Sequence, residues 1–468
     1  MHGCRENFGF IPFLDAMLLC AIYLGITLLL TGIGWLLFRN WKKAALAAFS
    51  IMAFHLFFGA IQDWLKNIFN EGFLSRYSFL LPFFAIVFIA FFVALWKTGK
   101  PLTRLIAYLN ILFLVVITIE LGYLVVKSTA KGRKDQLPEE FTKCESCPRP
   151  DIYVIIADEY AGDKQLRDIF GFDNSAFYNE LKNRGFHTLA NSRSNYNFTP
   201  YSIASALDMN YLGNEKEDKG RLLKRTYSRT VNNSLLRFLN AHGYEFLNYS
   251  LLDYEGQPAR VDETFLPART RLITSQTFLS RINKDLRFHL VEKFDSKKEQ
   301  ERLTYRTQKN NEAILKLTKE AAAEESESPR FILTHLMMPH YPYYFDKSGR
   351  PLPFDQVKEG NQHDRKNYVE YLQYSNGVFL DLLDKILSNS KSQPIIIFMS
   401  DHGFRHFKEV ADPSYYFSNH VSIYLPDKEY SAFGDSLTNV NLFRTLLNER
   451  FNQKLNYLPD TTYIMENP

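Results

Sequence analysis

The chain has 468 residues, of which 23% are charged, and a formal net charge of +4 at pH 7. So small a charge on so long a chain, without a stripe of Lys and Arg interleaved with aromatic residues, argues against a nucleic-acid partner. The mean hydropathy of -0.22 averages two unlike parts. Almost everything before residue 127 is apolar, and the rest has the mixed composition of a globular domain.

Four apolar runs fill the first part of the chain, at residues 11–38, 44–65, 77–96 and 102–126. Each is about as long as the roughly 20 residues that a helix needs to cross the hydrocarbon core of a bilayer. The first run is too long for a cleaved signal peptide, and three more follow it. The sequence therefore predicts a membrane domain of four transmembrane helices over residues 1–126.

The short loops between these runs predict the orientation of the membrane domain. Loops 39–43 and 97–104 each carry three basic residues, whereas loop 66–76 mixes both signs. The positive-inside rule places the first and third loops in the cytoplasm and both ends of the chain outside. The basic stretch 127–134 after the fourth run argues for the opposite orientation.

A linker at 127–150 contains Cys144 and Cys147 in a single CxxC motif. One such motif is half of what a structural zinc site requires. In an extracytoplasmic linker we expect a local disulfide, and a redox role is the alternative.

The part from 151 to 468 alternates apolar strand-like runs with helical ones, which predicts an α/β domain with a mainly parallel sheet flanked by helices. The strongest helical pattern covers residues 369–387. The expected strands are 151–157, 186–190, 244–250, 330–338, 394–400 and 421–426.

A threonine followed by a proline, Thr199-Pro200, stands in the segment NYNFTPYSIAS at 195–205. Thr199 could be the N-cap of a helix with Pro200 at its first position. A hydroxyl at a helix N-terminus, where backbone donors favour negative charge, could also attack a phosphoryl group. The motif alone leaves both interpretations open.

Polar residues follow several of the predicted strands. Asp158 and Glu159 end the first strand, His335 and His340 lie at or after another, and SDHG follows a third at 400–403. Asp, Ser and Gly are also ordinary turn residues. In open α/β sheets, however, sites form at the carboxyl ends of strands, so these groups are expected to converge.

A metal ion accounts for these residues jointly. Asp158, Thr199, Asp401 and His402 offer three oxygens and one imidazole, a set that suits Zn²⁺ or Mn²⁺ better than Mg²⁺ or Ca²⁺. A divalent ion would make the Thr199 hydroxyl a usable nucleophile. His335 and His340 could then stabilise phosphoryl oxygens or protonate the leaving group.

The ordered motifs over residues 150 to 430 resemble the alkaline-phosphatase superfamily, in its sulfatase-like branch with lipoteichoic acid synthases and lipid A phosphoethanolamine transferases. The resemblance implies an alkaline-phosphatase-like domain at 151–468 with a covalent intermediate on Thr199. It also implies a later histidine near the site. His406 and His420 both qualify, and His420, directly before the strand at 421–426, is favoured.

Two departures from this branch stand in the sequence. Residues 199–203 read TPYSI, without the cysteine and arginine of the sulfatase C-x-P-S-R pattern from which formylglycine is made. Asp158 stands where the transferases carry Glu, and Glu159 stands where they have a small hydroxyl residue. The sequence shows no second full ligand set, although His335, His340 and a later histidine could bind another ion.

The resemblance implies a membrane-anchored, metal-dependent enzyme in a bacterial inner membrane, with its catalytic domain outside. It would move a phospho-head group from a membrane lipid through Thr199 to an envelope glycan, lipid or teichoic-type acceptor. With water as acceptor it would be a phosphodiesterase or phosphatase, and a sulfuric ester hydrolase is the other enzymatic alternative. The alternative to an enzyme is a non-catalytic membrane scaffold. Such a scaffold would be indicated by the loss of one of the metal-ligating residues.

Overall fold

The computed structural model describes residues 11, 13–69, 72–129, 137, 139–214, 216–217, 219–254, 257–261, 270–293, 297–358, 361–407 and 412–466. Most of the basic stretch 127–134 therefore lies outside the described residues. The chain divides into two compact units. The first comprises 1–133 with 267–297, and the second comprises 134–266 with 298–468. Within the segment 267–297 the described residues 270–293, which the sequence analysis included in the C-terminal domain, belong to the first unit.

The first unit contains four helices that are long and apolar enough to cross a membrane, as predicted. Their apolar side chains remain largely exposed, which is the expected state of surfaces that face lipid. The helices are α1 (Phe13–Phe38), α2 (Trp41–Phe69), α3 (Tyr77–Lys97) and α4 (Thr103–Thr129).

The remaining helices are α5 (Asp163–Phe170), α6 (Ser175–Asn183), α7 (Thr199–Asp208), α8 (Lys219–Val231), α9 (Ser234–Ala241), α10 (Arg271–Thr274), α11 (Phe278–Lys293), α12 (Lys297–Thr304), α13 (Arg306–Ala323), α14 (Phe354–Lys358), α15 (Arg365–Asn389) and α16 (Asn439–Arg450). Helices α10 and α11 belong to the first unit, where α11 packs against α2.

Polar contacts hold α11 against the membrane helices. Arg281 forms an ion pair of 2.5 Å with Asp63 of α2, and the Tyr77 hydroxyl at the start of α3 donates to Asp285 at 2.7 Å. The ring of Phe278 lies 5.0 Å from those of Phe54 and Phe58. These contacts explain why this segment groups with the membrane helices.

The second unit is built on a six-stranded sheet of β1 (Ile152–Ala157), β2 (His187–Thr188), β3 (Glu245–Tyr249), β4 (Arg330–Leu336), β5 (Ile395–Ser400) and β6 (Val421–Tyr424). The strand order is β2-β6-β5-β1-β4-β3. Strands β3, β4, β1 and β5 pair in parallel, while β6 pairs antiparallel with β5 and β2. Each predicted strand is present, and the predicted α/β class is confirmed.

The central strands β1, β4 and β5 are buried along their whole length. One face of β1, with Tyr153 and Ile155, packs into a core shared with Phe379 and Leu382 of α15. Alternate residues such as Val154 point to the opposite face and are equally buried. A sheet covered on both faces explains why these strands read as continuous apolar runs.

Candidate metal centre

The pairing register brings the ends of the three central strands level. Ala157, the last residue of β1, lies opposite Leu336 of β4 and Ser400 of β5. The residues that follow β1 and β5 therefore emerge at the same edge of the sheet, as predicted for a parallel arrangement.

The first cluster consists of Asp158, Asp401 and His402, all fully buried. One ligand atom from each lies within 4.8 Å of the others. His402 Nε2 is 3.2 Å from Asp401 Oδ2. His335, the next-to-last residue of β4, places its Nε2 at 3.0 Å from Asp158 Oδ2 and so fixes the orientation of that carboxylate.

The Thr199 hydroxyl reaches the first cluster. It lies 3.4 Å from Asp158 Oδ2 and 3.3 Å from His402 Nε2. Thr199 is itself the first residue of α7, and Phe198, with extended backbone, is the N-cap and makes no side-chain cap bond. The N-cap interpretation of Thr199 is therefore wrong, because its hydroxyl turns to the cluster rather than to the backbone of the first turn.

The first cluster fits a cation. Asp158 Oδ1 and Asp401 Oδ2 are buried and accept no hydrogen bond from the described residues. A buried carboxylate oxygen without a donor is costly unless a cation satisfies it. His402 Nδ1 contacts the Gly403 carbonyl at 2.8 Å, which leaves Nε2 as the ligand atom. With Thr199 the set has the three oxygens and one nitrogen that suit Zn²⁺ or Mn²⁺.

The electrostatics agree with a ligand set. Burial opposes ionisation of Asp158, but His340, His335 and His402 together lower the pKa of its carboxyl below the usual value. Burial lowers the pKa of His402, although Asp401 acts in the opposite direction. An ionised carboxylate and a neutral imidazole are the forms in which these groups bind metals.

A second cluster, Glu159, His340 and His406, also places its ligand atoms within 4.8 Å of one another. Glu159 Oε2 lies 3.8 Å from His340 Nε2, and Oε1 lies 3.4 Å from His406 Nε2. Glu159 Oε2 is buried and accepts no hydrogen bond from the described residues. The sequence showed no second full ligand set, but the structure assembles these three groups into a possible one.

The backbone of Glu159 is strained. Its φ of 58° is in the left-handed region, and its carbonyl accepts a hydrogen bond from the Tyr368 hydroxyl at 2.9 Å. Burial raises the pKa of the Glu159 carboxyl well above its usual value, with Arg405 acting in the opposite direction. A buried acidic residue with a strained backbone, next to a candidate metal-ligating residue such as Asp158, is typical of functional sites. The sequence signal was the carboxylate directly after Asp158.

His420, favoured by the sequence, lies in neither cluster. Its ring stacks on Tyr178 at 5.6 Å and lies 5.0 Å from that of Phe398. Its Nε2 contacts the Ser422 hydroxyl at 3.0 Å, and burial lowers its pKa to about 3. The structure does not bring His420 to the carboxylates, because its side chain packs among aromatic rings; His406, the other histidine that the sequence offered, lies in the second cluster.

Arg405 supplies a positive charge that the sequence analysis missed. Its guanidinium carbon lies 3.9 Å from the ring centroid of Phe198, the residue before Thr199. Its backbone N–H donates to Glu159 Oε1 at 3.0 Å. A guanidinium held between the Phe198 ring and the second cluster favours binding of an anionic group at this site.

Gly403 allows the loop after β5 to close. A Cβ at this position would lie 2.5 Å from the Ser418 carbonyl oxygen and close to that of Tyr415. We expect Gly403→Ala to lower the free energy of unfolding by about 2 kcal/mol, because backbone atoms cannot move aside easily. At the exposed position Gly377 in α15, where a Cβ meets nothing, Gly377→Ala is expected to raise it by about 1 kcal/mol.

Thermal unfolding of both variants of the full-length protein, with and without added Zn²⁺, checks this expectation. Equal stability of Gly403→Ala and the wild type would show that the loop does not depend on this close approach.

Comparison with known proteins places the chain in a family. The Sulfatase family profile matches residues 172–444, more than half of the 468 residues. The match includes Thr199, His335, His340, Asp401 and His402, and begins after Asp158. No curated protein matches the chain.

Several solved structures are similar at low identity. The periplasmic domain of EptC from Escherichia coli in complex with Zn is 11% identical, with a TM-score of 0.39 over 69% of this chain and 89% of that one. The periplasmic domain of the phosphoethanolamine transferase EptC from Campylobacter jejuni is 16% identical, with a TM-score of 0.39 over 69% and 97%. The integral membrane lipooligosaccharide phosphoethanolamine transferase A from Neisseria meningitidis is 13% identical, with a TM-score of 0.38 over 83% and 79%.

The family match, the four membrane-spanning helices and the carboxylates and histidines at the strand ends agree with one another. The chain belongs to the sulfatase family of enzymes, as a membrane-bound member with a threonine at the centre of its candidate metal site.

Proposed function

We propose that the protein is a membrane-anchored, metal-dependent phosphotransferase. It takes a phospho-head group from a membrane lipid onto Thr199 and passes it to an envelope glycan, lipid or teichoic-type acceptor. The observation that carries this proposal is the Thr199 hydroxyl, which lies within 3.4 Å of both Asp158 and His402 in a buried cluster of potential metal ligands.

Asp158, Thr199, Asp401 and His402 would hold the ion, with Zn²⁺ or Mn²⁺ favoured by the donor set. When bound, such an ion lowers the pKa of a coordinated hydroxyl and polarises a phosphoryl oxygen. His335 is a positioning residue rather than a group that contacts the phosphoryl group. Its Nε2 lies 3.0 Å from Asp158 Oδ2 and orients that carboxylate. The Glu159 backbone N–H holds Asp401 in the same way, at 2.9 Å from Oδ1.

The first half-reaction exchanges one phosphorus–oxygen bond for another. Thr199 Oγ1 loses its proton and bonds to phosphorus, and the bond from phosphorus to the diacylglycerol oxygen breaks. The leaving oxygen takes up the proton that Thr199 gives up, and His340 and His406 of the second cluster, whose pKa values burial lowers so that they are neutral, are the candidate groups to relay it. Arg405 and the N-terminus of α7 stabilise the charge on the phosphoryl oxygens.

The second half-reaction repeats the exchange with an acceptor hydroxyl, which restores Thr199. If water is the acceptor, the same site would catalyse hydrolysis, and the protein would be a phosphodiesterase or phosphatase. The absence of a cysteine at position 199 argues against sulfate ester hydrolysis through formylglycine, so phosphorus chemistry is favoured within the family.

We place the catalytic unit outside the cytoplasm of a bacterial inner membrane. The basic residues in loops 39–43 and 97–104 support this orientation. The disulfide between Cys144 and Cys147 agrees with an oxidising compartment. A reporter enzyme that is active only outside the cytoplasm should be active when it is fused to the C-terminal end. Activity of a reporter that works only in the cytoplasm, fused at the same position, would contradict the proposed topology.

Release of diacylglycerol tests the proposed reaction. The purified full-length protein is incubated with phosphatidylethanolamine or phosphatidylglycerol in detergent. We expect diacylglycerol to form from at least one lipid, to stop with a chelator and to resume with Zn²⁺ or Mn²⁺. No diacylglycerol from either lipid under any metal condition would contradict a lipid donor and favour a scaffold.

A further inference from the structure

An apolar cavity of about 510 Å³ lies within the first unit, where α1 ends, α2 begins and α3 ends. Its walls come from these three helices and are apolar except for one lysine at the end of α3. They include Leu30, Gly34, Ala48, Val93, Trp96 and Lys97.

Small residues create this cavity. A Cβ at Gly34 would lie 3.1 Å from the Ala44 backbone, so α1 and α2 approach closely at this point. Ala47 and Ala48 follow on α2 and are buried. Because these side chains are short, they do not fill the space between α2 and the larger side chains of α1 and α3. This space is the cavity.

An aromatic belt marks this end of the helices as a membrane–water interface. Trp35 and Trp41 stack at 5.4 Å, and Trp96 lies 6.0 Å from Phe38 edge to face. Tryptophans of membrane proteins concentrate at the level of the lipid head groups. The cavity therefore extends from that level toward the hydrocarbon core.

The same end is basic, and the helices and loops that form it in the described part of the chain have no acidic residue there. In the sequence, residues 16–62 and 72–119 contain no Asp or Glu. Lys43 Nζ donates to the Trp96 carbonyl at 3.1 Å, so one base lies at the wall of the cavity, and Lys97 lines it. The basic residues at this end are Arg39, Lys42, Lys43, Lys97, Lys100 and Arg104.

We propose that this cavity binds one anionic diacyl phospholipid, with an acyl chain among the apolar side chains and its phosphate on Lys43 and Lys97. Basic pockets between transmembrane helices on the cytoplasmic side recognise anionic head groups. An almost wholly apolar lining favours hydrocarbon over water. The cavity is lined by residues of the membrane helices and by none of the metal-site residues, so the proposal does not depend on the chemistry at Thr199.

Native mass spectrometry of the full-length protein with phosphatidylglycerol or phosphatidylethanolamine tests this proposal. We expect the wild type to retain phosphatidylglycerol preferentially. Each charge removed should weaken binding of phosphatidylglycerol about fivefold, so the double variant K43Q/K97Q should weaken it roughly 25-fold. Val93→Trp, which fills the cavity without changing charge, should also reduce retention.

The matched control K66Q/R76Q removes two basic residues at the other end of these helices, Lys66 in the last turn of α2 and Arg76 directly before α3. It should leave phosphatidylglycerol retention unchanged. The proposal is overturned if both lipids are retained equally, if K43Q/K97Q binds like the wild type, or if the control loses as much lipid, which would indicate attraction by net charge alone. Circular dichroism confirms that each variant remains helical.

Discussion

Replacing Thr199 with alanine is expected to abolish head-group transfer, whereas Thr199→Ser should keep part of it. Covalent catalysis has no substitute for the missing oxygen, so the rate should fall by about 1,000-fold or more. Serine keeps a hydroxyl but is less constrained in rotamer than the β-branched residue. Diacylglycerol release by the purified full-length variants measures both effects.

The stability of Thr199→Ala separates a chemical role from a structural one. Because the hydroxyl caps no helix, its removal should cost less than about 1 kcal/mol. Ser205→Ala is the matched control, since it removes another buried hydroxyl of α7, one that donates to the Asn210 carbonyl at 2.8 Å. It should keep activity. An active Thr199→Ala enzyme would refute the covalent mechanism and direct attention to Ser202.

Asp401→Ala and His402→Ala should each remove bound metal and activity while leaving the fold largely intact. Both residues follow β5, and their side chains face the candidate metal site. We expect activity to fall more than about 100-fold, because even groups that only orient metal ligands are worth 10- to 100-fold. Metal content by plasma mass spectrometry and turnover by lipid release check this expectation.

His420→Ala provides the control for His402→Ala. Both histidines are buried near the junction of β5 and β6, but His420 lies among aromatic rings outside the two clusters. Its variant should lose stability and keep its metal. If His402→Ala retained metal and turnover near the wild type while His420→Ala lost them, the metal site would have to be assigned elsewhere.

Most of the second unit could be predicted from its sequence because its central strands are buried on both faces. Short continuous apolar runs such as 152–157 and 395–400 are predicted to be buried strands in an α/β domain, because few other structures suit them. Parallel pairing then forces the ends of β1 and β5 to the same edge. The convergence of Asp158, Asp401 and His402 follows from that register alone.

Three features depended on tertiary contacts that the sequence does not display. A shift of one residue in the start of α7 decides whether Thr199 caps the helix or faces the cluster. The choice between His406 and His420 depended on which side chain packs against aromatic rings. The segment at 270–293 groups with the membrane helices through Arg281 and Tyr77, whose partners are distant in sequence.

The mass of the peptide that contains Thr199 tests the covalent mechanism most directly. The full-length protein is incubated with phospholipid labelled in the head group, quenched and digested. We expect a labelled phospho-head group on Thr199 that is absent from Thr199→Ala and disappears when an acceptor is added. Lipid turnover without any adduct on this peptide, or with the adduct on another residue, would contradict it.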